Sequence, residues 1–390
     1  MKRILPVIIL SQFFCTSVWF AGNAVIGDLA RSLQLGPAYL GYLSNAVQAG
    51  FITGTLVFAL LGLNDKFSPS KIFFTCALIA AGINLAVSSA WITPFSLIGC
   101  RVLTGFFLAG IYPVGMKIAA DHYQQRLGRS LGYLVGALVL GTAFPHLVKS
   151  LSAGLPWRYV IYTTSALCVL GGAAMLLFVP GGPYRTTGQK LDLSQALTAF
   201  KDPNFRSAAL GYAGHMWELY AFWVFVPVMV SAYVAHYPAS GLNIPLTSFG
   251  VIAAGSVACV LGGHLSQRWG AQRVATAALI ISCVCCLLSP LFLFSGSPIM
   301  FVTSLVVWSM AVIADSPLFS TLVAQHAPAA FKGTALTMVT CIGFAVTLVS
   351  VQLISALHND HNGNYIFTLL AIGPILGLLA LKRRRQVDQD

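Results

Sequence analysis

LGLNDKFSPSK, residues 61–71, and GHLSQRWGAQR, residues 263–273, superpose at an offset of 202, from 61 to 263. Leu63 falls on Leu265, Asp65 on Gln267, Lys66 on Arg268, Ser68 on Gly270 and Lys71 on Arg273. Each stretch is a short basic turn that follows a long apolar run. Retention of basic residues on the cytoplasmic face accounts for part of the likeness. Its recurrence at one place in each half of the chain points to an internal duplication.

Outward from these turns the chain is apolar. Hydrophobic residues make up 57% and charged residues 8%, about a third of the charged fraction of an ordinary soluble domain. Twelve apolar segments recur, at about 5–30, 39–62, 71–90, 94–119, 130–150, 157–179, 206–232, 247–266, 273–293, 298–324, 334–356 and 364–381. Each can cross a hydrocarbon core of about 30 Å as a helix, and they are too long and too uniformly apolar for barrel strands. The longest polar stretch, 181–206, divides them six and six. The expected organisation is therefore a bundle over 1–180, a cytoplasmic linker over 181–206 and a second bundle over 207–390, all-α and integral to the membrane. Within the linker, LDLSQALTAF reads either as a short interfacial helix or as part of a passive tether.

An even number of spans puts both ends of the sequence on one side. With that side cytoplasmic, all but four of the 22 basic residues lie there. Arg31, Lys149 and Arg158 fall opposite, and Arg101 lies inside span four. The net charge of +12 thus reads as topology and attraction to anionic lipid, not as a nucleic-acid surface. The nine cysteines all sit in spans, where a thiol packs as a small apolar group; no disulfide framework follows. Cys283, Cys285 and Cys286 cluster, but helical spacing turns them in different directions. Lys2 and Arg3 before an apolar run imitate a signal peptide, yet the run is too long, and an uncleaved first helix is expected.

The two turns resemble the signature Gly-x-Leu-x-Asp-Arg-x-Gly-Arg-Arg of the major facilitator superfamily of secondary transporters, with Leu61, Ser68 and Gln267 as departures. RVLTGFFLAG, residues 101–110, is similar to that family's fourth-helix Arg-x-x-x-Gly pattern. Trp157-Arg158 and the basic turn QQRLGRSLG, 124–132, are weaker echoes. The resemblance covers essentially the whole chain. It implies two pseudo-symmetric six-helix bundles rocking about a central site lined by helices 1, 4, 7 and 10, in keeping with repeat-built transporters that bind near the midplane. In that reading Asp65, Lys66, Arg126, Arg129, Arg268 and Arg273 form the gating loops.

Ionisable groups in hydrocarbon cost about 2.5–3.5 kcal/mol each at a helix centre, so they normally face a cavity or a partner. Arg101 lies on span four, His215 and Glu218 on span seven, and Asp315 on span ten. Glu218 is the only glutamate in the chain, and counting along span seven places it about 18 Å in, near the bilayer centre. His215 lies one turn away on the same face. Two readings stand for the pair: a proton-coupling site, or a structural hydrogen bond that pins span seven to a neighbour. Asp315 precedes Pro317, which removes a backbone donor and opens the helix. It suits a proton or cation site, a cap on the broken turn, or a contact to the loop of Arg126 and Arg129. The Arg101 fork suits a carboxylate or phosphate, and equally a salt bridge or a clamp on carbonyls. Lys117 and Lys149 are expected to snorkel, and His146 and His264 to be satisfied interior or interface residues.

Polar and aromatic groups suited to a solute pocket surround these charges: Trp19, Asn23, Asn45, Gln48, Trp217, Tyr220, Trp223 and Trp308. The same residue types also form interface belts. Span five lacks the Gly-Pro motif of many drug-proton antiporters of the superfamily, which tilts the reading toward uptake by proton symport. Span seven also looks like that of members grouped with nitrate and nitrite porters, but spans two and eight carry no arginine pair. The sequence thus points to proton-coupled movement of a small organic solute, an organic anion above others, across the cytoplasmic (inner) membrane. Efflux of amphiphilic or cationic compounds is the alternative, and a metal-ion transporter using His215, Glu218 and Asp315 is a third reading. No nucleophile-base arrangement or phosphate-binding loop is present, so neither an enzyme nor an ATP-driven pump is expected. No cofactor, metal or nucleic-acid partner is expected, and the chain should act as a monomer on solute and protons among membrane lipids.

Overall fold

The structure is a computed structural model that describes residues 4–123, 127–185, 197–328, 331–359, 363 and 365–387. Among these every regular element is a helix, as segments in lipid must satisfy their own backbone groups. Ten helical segments are long and apolar enough to cross a bilayer, from Tyr39–Leu60 to Lys332–Leu357. Two shorter apolar pieces, Ile4–Thr16 and Ile366–Lys382, take the first and last of the twelve expected positions. Most of the LDLSQALTAF segment lies outside the described residues. The chain forms two compact units, residues 1–188 with 248–253 and residues 189–247 with 254–390.

The first unit contains α1 (Ile4–Thr16), α2 (Ala21–Ala24), α3 (Ile26–Leu33), α4 (Tyr39–Leu60), α5 (Leu63–Lys66), α6 (Pro69–Ala86), α7 (Pro94–Leu108), α8 (Tyr112–His122), α9 (Leu127–Leu151) and α10 (Arg158–Phe178). Span one is thus three helices where the hydropathy pattern predicts one. Between α1 and α2 the ladder gives way to short turns such as Trp19 N to Thr16 O, 3.0 Å. Span four also breaks, after Leu108, because Pro113 has no N–H for the Ala109 carbonyl. Helix starts are written locally: Thr93 and Ser96 close a capping box around Pro94. Glycine sets the approach of α4 to α7. A Cβ on Gly50 would lie 1.9 Å from the Val102 carbonyl oxygen, and one on Gly105 2.0 Å from that of Val47. Helices α6 and α10 are joined by Asn84 Nδ2, which donates to Thr164 Oγ1 at 3.1 Å and Ser165 Oγ at 2.9 Å.

The second unit contains α11 (Pro203–His236), α12 (Ile244–Trp269) apart from its residues 248–253, α13 (Ala271–Leu293), α14 (Pro298–Ala314), α15 (Ser316–His326), α16 (Lys332–Leu357) and α17 (Ile372–Val387), with a 3-10 turn at Ile366–Ala371 before the last. Asp202, Asn243 and Ser297 cap α11, α12 and α14, each with a proline in the first turn. Residues 218–226 of α11 are all buried. A helix buried all round has packing partners on every side, and within its unit α11 packs chiefly against α15, α16 and α17. The outward faces carry Leu291, Ile299 and Leu376, exposed as lipid-facing residues are.

Candidate functional site

Glu218 projects from the middle of α11 and has no solvent exposure. Its Oε1 accepts from the indole Nε1 of Trp308 at 2.5 Å and from Cys286 Sγ at 3.2 Å. Its Oε2 accepts from Ser282 Oγ at 2.9 Å. Phe222, one turn along α11, packs on the Trp308 ring with centroids 4.7 Å apart. Helical spacing explains the set: Ser282 and Cys286 are four residues apart on α13 and so share a face. The carboxylate thereby ties α11 to both α13 and α14.

One turn toward the start of α11, His215 is also fully buried, as is Asp315. Asp315 stands at the junction of α14 and α15, where the helix opens, and its side chain makes no capping bond. It turns instead to His215, whose Nδ1 lies 2.8 Å from Oδ1, off the alignment of a directed hydrogen bond. Among the described residues His215 Nε2 and Asp315 Oδ2 have no hydrogen-bond partner. The rings of Tyr212 and Phe319 flank the imidazole at 6.0 and 6.1 Å. A buried carboxylate and imidazole in contact can hold one proton between them.

Arg101, likewise without exposure, forms no ion pair with an acid among the described residues. Its Nη1 donates to the Val18 carbonyl at 3.2 Å and its Nη2 to that of Trp19. These carbonyls are released where span one breaks, and a cation at a helix C-terminus also meets the favourable end of its dipole. Of the readings open in the sequence, the structure displays the carbonyl clamp.

Residues 8–351 match the Major Facilitator Superfamily. The chain belongs to that superfamily. It is 30% identical over 156 residues to the inner membrane metabolite transport protein YgcS of Escherichia coli (strain K12), a match covering 38% of this chain. The chain spans about a third, 34%, of the length of that curated relative. In fold it is similar to a bacterial homologue of the human lysosomal transporter Spinster, solved inward-facing and unoccupied. The TM-score is 0.67 over 97% of this chain and 94% of that one, at 15% identity, which speaks to fold alone. A protein of this superfamily is a multi-pass membrane transporter, not an enzyme.

Trp19, Asn23 and Gln48 are buried and Asn45 is half-buried. Trp19, Asn23, Gln48, Phe20, Ser44 and Val47 line a crevice too narrow for a solute, and Asn23 Nδ2 donates to Ser44 Oγ at 2.7 Å. Trp217 turns to the last segment, donating to the Leu369 carbonyl at 3.2 Å. Tyr220 packs on Trp223 and Phe344, 5.2 and 5.1 Å between centroids. Lys66, Arg268 and Arg273 are exposed; Arg126 and the side chains of Asp65 and Arg129 lie outside the described residues. His264 is exposed with its Nδ1 2.8 Å from the Val260 carbonyl oxygen, and His146 is buried with no partner for its Nε2 among the described residues. Lys149 does not simply snorkel, because its ammonium pairs with Asp28, which also takes Arg31 at 2.7 Å. Among the described residues no three His, Cys, Asp or Glu side chains converge as a metal site. Ser282 and Cys286 are the site residues sequence reading missed; their spacing on one face of span nine was the available signal.

Proposed function

We propose that this transporter moves a small organic solute across the cytoplasmic membrane by proton-coupled alternating access, in the direction of uptake, as a monomer with both ends cytoplasmic. The observation that carries the reading is the burial of His215, Glu218 and Asp315 in one bundle with a single contact among them, His215 to Asp315. Groups held so against the expense of desolvation are retained for what they do, and a buried carboxylate exchanging a proton changes charge at the centre of the membrane. The name of the Escherichia coli relative, a metabolite transport protein, supports an organic solute. An anionic solute is supported by Arg101, whose Nε has no partner among the described residues beside the broken first span. Efflux of cations is less well served, since both oxygens of Glu218 already accept donors within its own bundle.

The test is net uptake in proteoliposomes of solutes that raise the protein's melting temperature in a screen of organic acids, amphiphilic cations and divalent metals. A saturating ligand at 100 times its dissociation constant adds about 2.7 kcal/mol. Stabilisation by carboxylates, with accumulation that follows an imposed proton gradient, is expected. Stabilisation by cations or metals alone would reverse the assignment.

A further inference from the structure

Each oxygen of Glu218 faces a different kind of partner, and this difference assigns the proton. The indole N–H of Trp308 can only donate; at 2.5 Å from Oε1 it keeps that oxygen an acceptor whether Glu218 is charged or neutral. Cys286 also faces Oε1, at 3.2 Å, and a thiol is a weak acceptor. Among the described residues Oε2 accepts only from the Ser282 hydroxyl, at 2.9 Å. That hydroxyl has a second acceptor within reach, the Leu279 carbonyl at 3.2 Å, and a hydroxyl can both donate and accept.

We infer that Ser282 is the positioning residue for proton coupling, a reversible hydroxyl that receives the Glu218 proton on Oε2 while Trp308 fixes Oε1. The inference rests on the proton-coupled reading of Glu218. In the charged state Ser282 donates to Oε2. When a proton from water bonds to Oε2, the serine O–H rotates to the Leu279 carbonyl and its lone pair accepts the new carboxylic O–H. Serine keeps its own proton throughout, and the only bond made or broken is O–H at Glu218. No buried polar atom of the pair loses its partner in either state, so the protonation change does not leave an orphaned group in the membrane interior. The other titratable groups around Glu218 are His215 on its own helix, Cys283, Cys285 and Cys286 from α13, and Asp315 from the α14–α15 junction. From α16 the nearby side chain is Thr347, bonded to the Met216 carbonyl at 3.0 Å, and α17 meets this stretch through glycine, Gly373 against Gly214. None of these faces Oε2 with a reversible hydroxyl.

Infrared titration of the full-length protein in lipid nanodiscs tests this with protons as the probe. A carboxylic C=O band that Glu218→Gln removes reports the protonated side chain. In Ser282→Ala that band is expected to move to higher frequency, and its midpoint to rise by about one pH unit, a tenfold lower proton concentration, because the charged form loses a donor. Ser282→Thr, which keeps a hydroxyl, should restore the wild-type frequency and midpoint. A Glu218 band unmoved by Ser282→Ala, or moved instead by Cys286→Ala, overturns the serine assignment while leaving proton coupling intact. Absence of any Glu218-dependent band across the titration overturns both.

Discussion

Replacing Arg101 with alanine separates a structural arginine from a solute-binding one. The guanidinium satisfies the carbonyls of Val18 and Trp19 where span one breaks, and its removal leaves both buried without a donor. Each such orphan costs about 1–3 kcal/mol, though polar contacts in membranes average nearer 0.6 kcal/mol, so about 3 kcal/mol for the pair is a fair working figure. A unit of this size loses about 2–4 °C of melting temperature per kcal/mol, which makes the drop about 6–12 °C. Arg101→Lys supplies one point donor in place of a two-armed fork and should lose roughly half as much. The assay is thermal unfolding of the solute-free protein in detergent, followed by intrinsic tryptophan emission, since Trp19 sits at the break. Wild-type melting of Arg101→Ala would refute the clamp. Loss of solute-induced stabilisation in that same variant would make Arg101 a binding residue.

Other consequences can be checked in parallel. Glu218→Gln should abolish gradient-driven net transport while preserving folding and solute exchange; unchanged driven uptake removes Glu218 from the mechanism. Asp315→Asn should leave melting within about 1 kcal/mol of wild type, since the His215 contact is poorly aligned, yet suppress driven uptake; normal uptake would make the pair structural. Gly50→Leu forces a side chain into the Val102 carbonyl and should destabilise by at least about 1–3 kcal/mol, read as lost folded yield, whereas Gly27→Ala, with open space around it, should not. Asp28→Asn removes the negative charge shared by Lys149 and Arg31 and one of its two acceptor oxygens. Its partly exposed position limits the cost to about 1 kcal/mol, measured as a melting shift that shrinks in high salt.

The spans, the helix starts and the burial of Glu218 were legible because they depend on local composition. Apolar runs specify crossing helices, and Asp202-Pro203 or Ser297-Pro298 writes its own helix start. The opening of span ten at Asp315 was legible too, through Pro317. The partners were not. Arg101 binds main-chain carbonyls, and no side-chain pattern marks the place where a helix will give them up. Asp28 and Lys149 meet across 121 positions of sequence, so Lys149 alone read as a snorkelling residue. Cys286 read as a small apolar packing group and Ser282 was not singled out, because only the third dimension turns them onto a carboxylate 68 and 64 positions earlier.

The central claim, that a proton bound in the second bundle drives the solute, is tested most directly by following proton entry into proteoliposomes with a trapped pH dye while a pool of small organic carboxylates is added outside. The account predicts solute-dependent acidification of the lumen in wild type and none in Glu218→Gln. Solute accumulation without proton movement, or equal acidification in the two proteins, would contradict it.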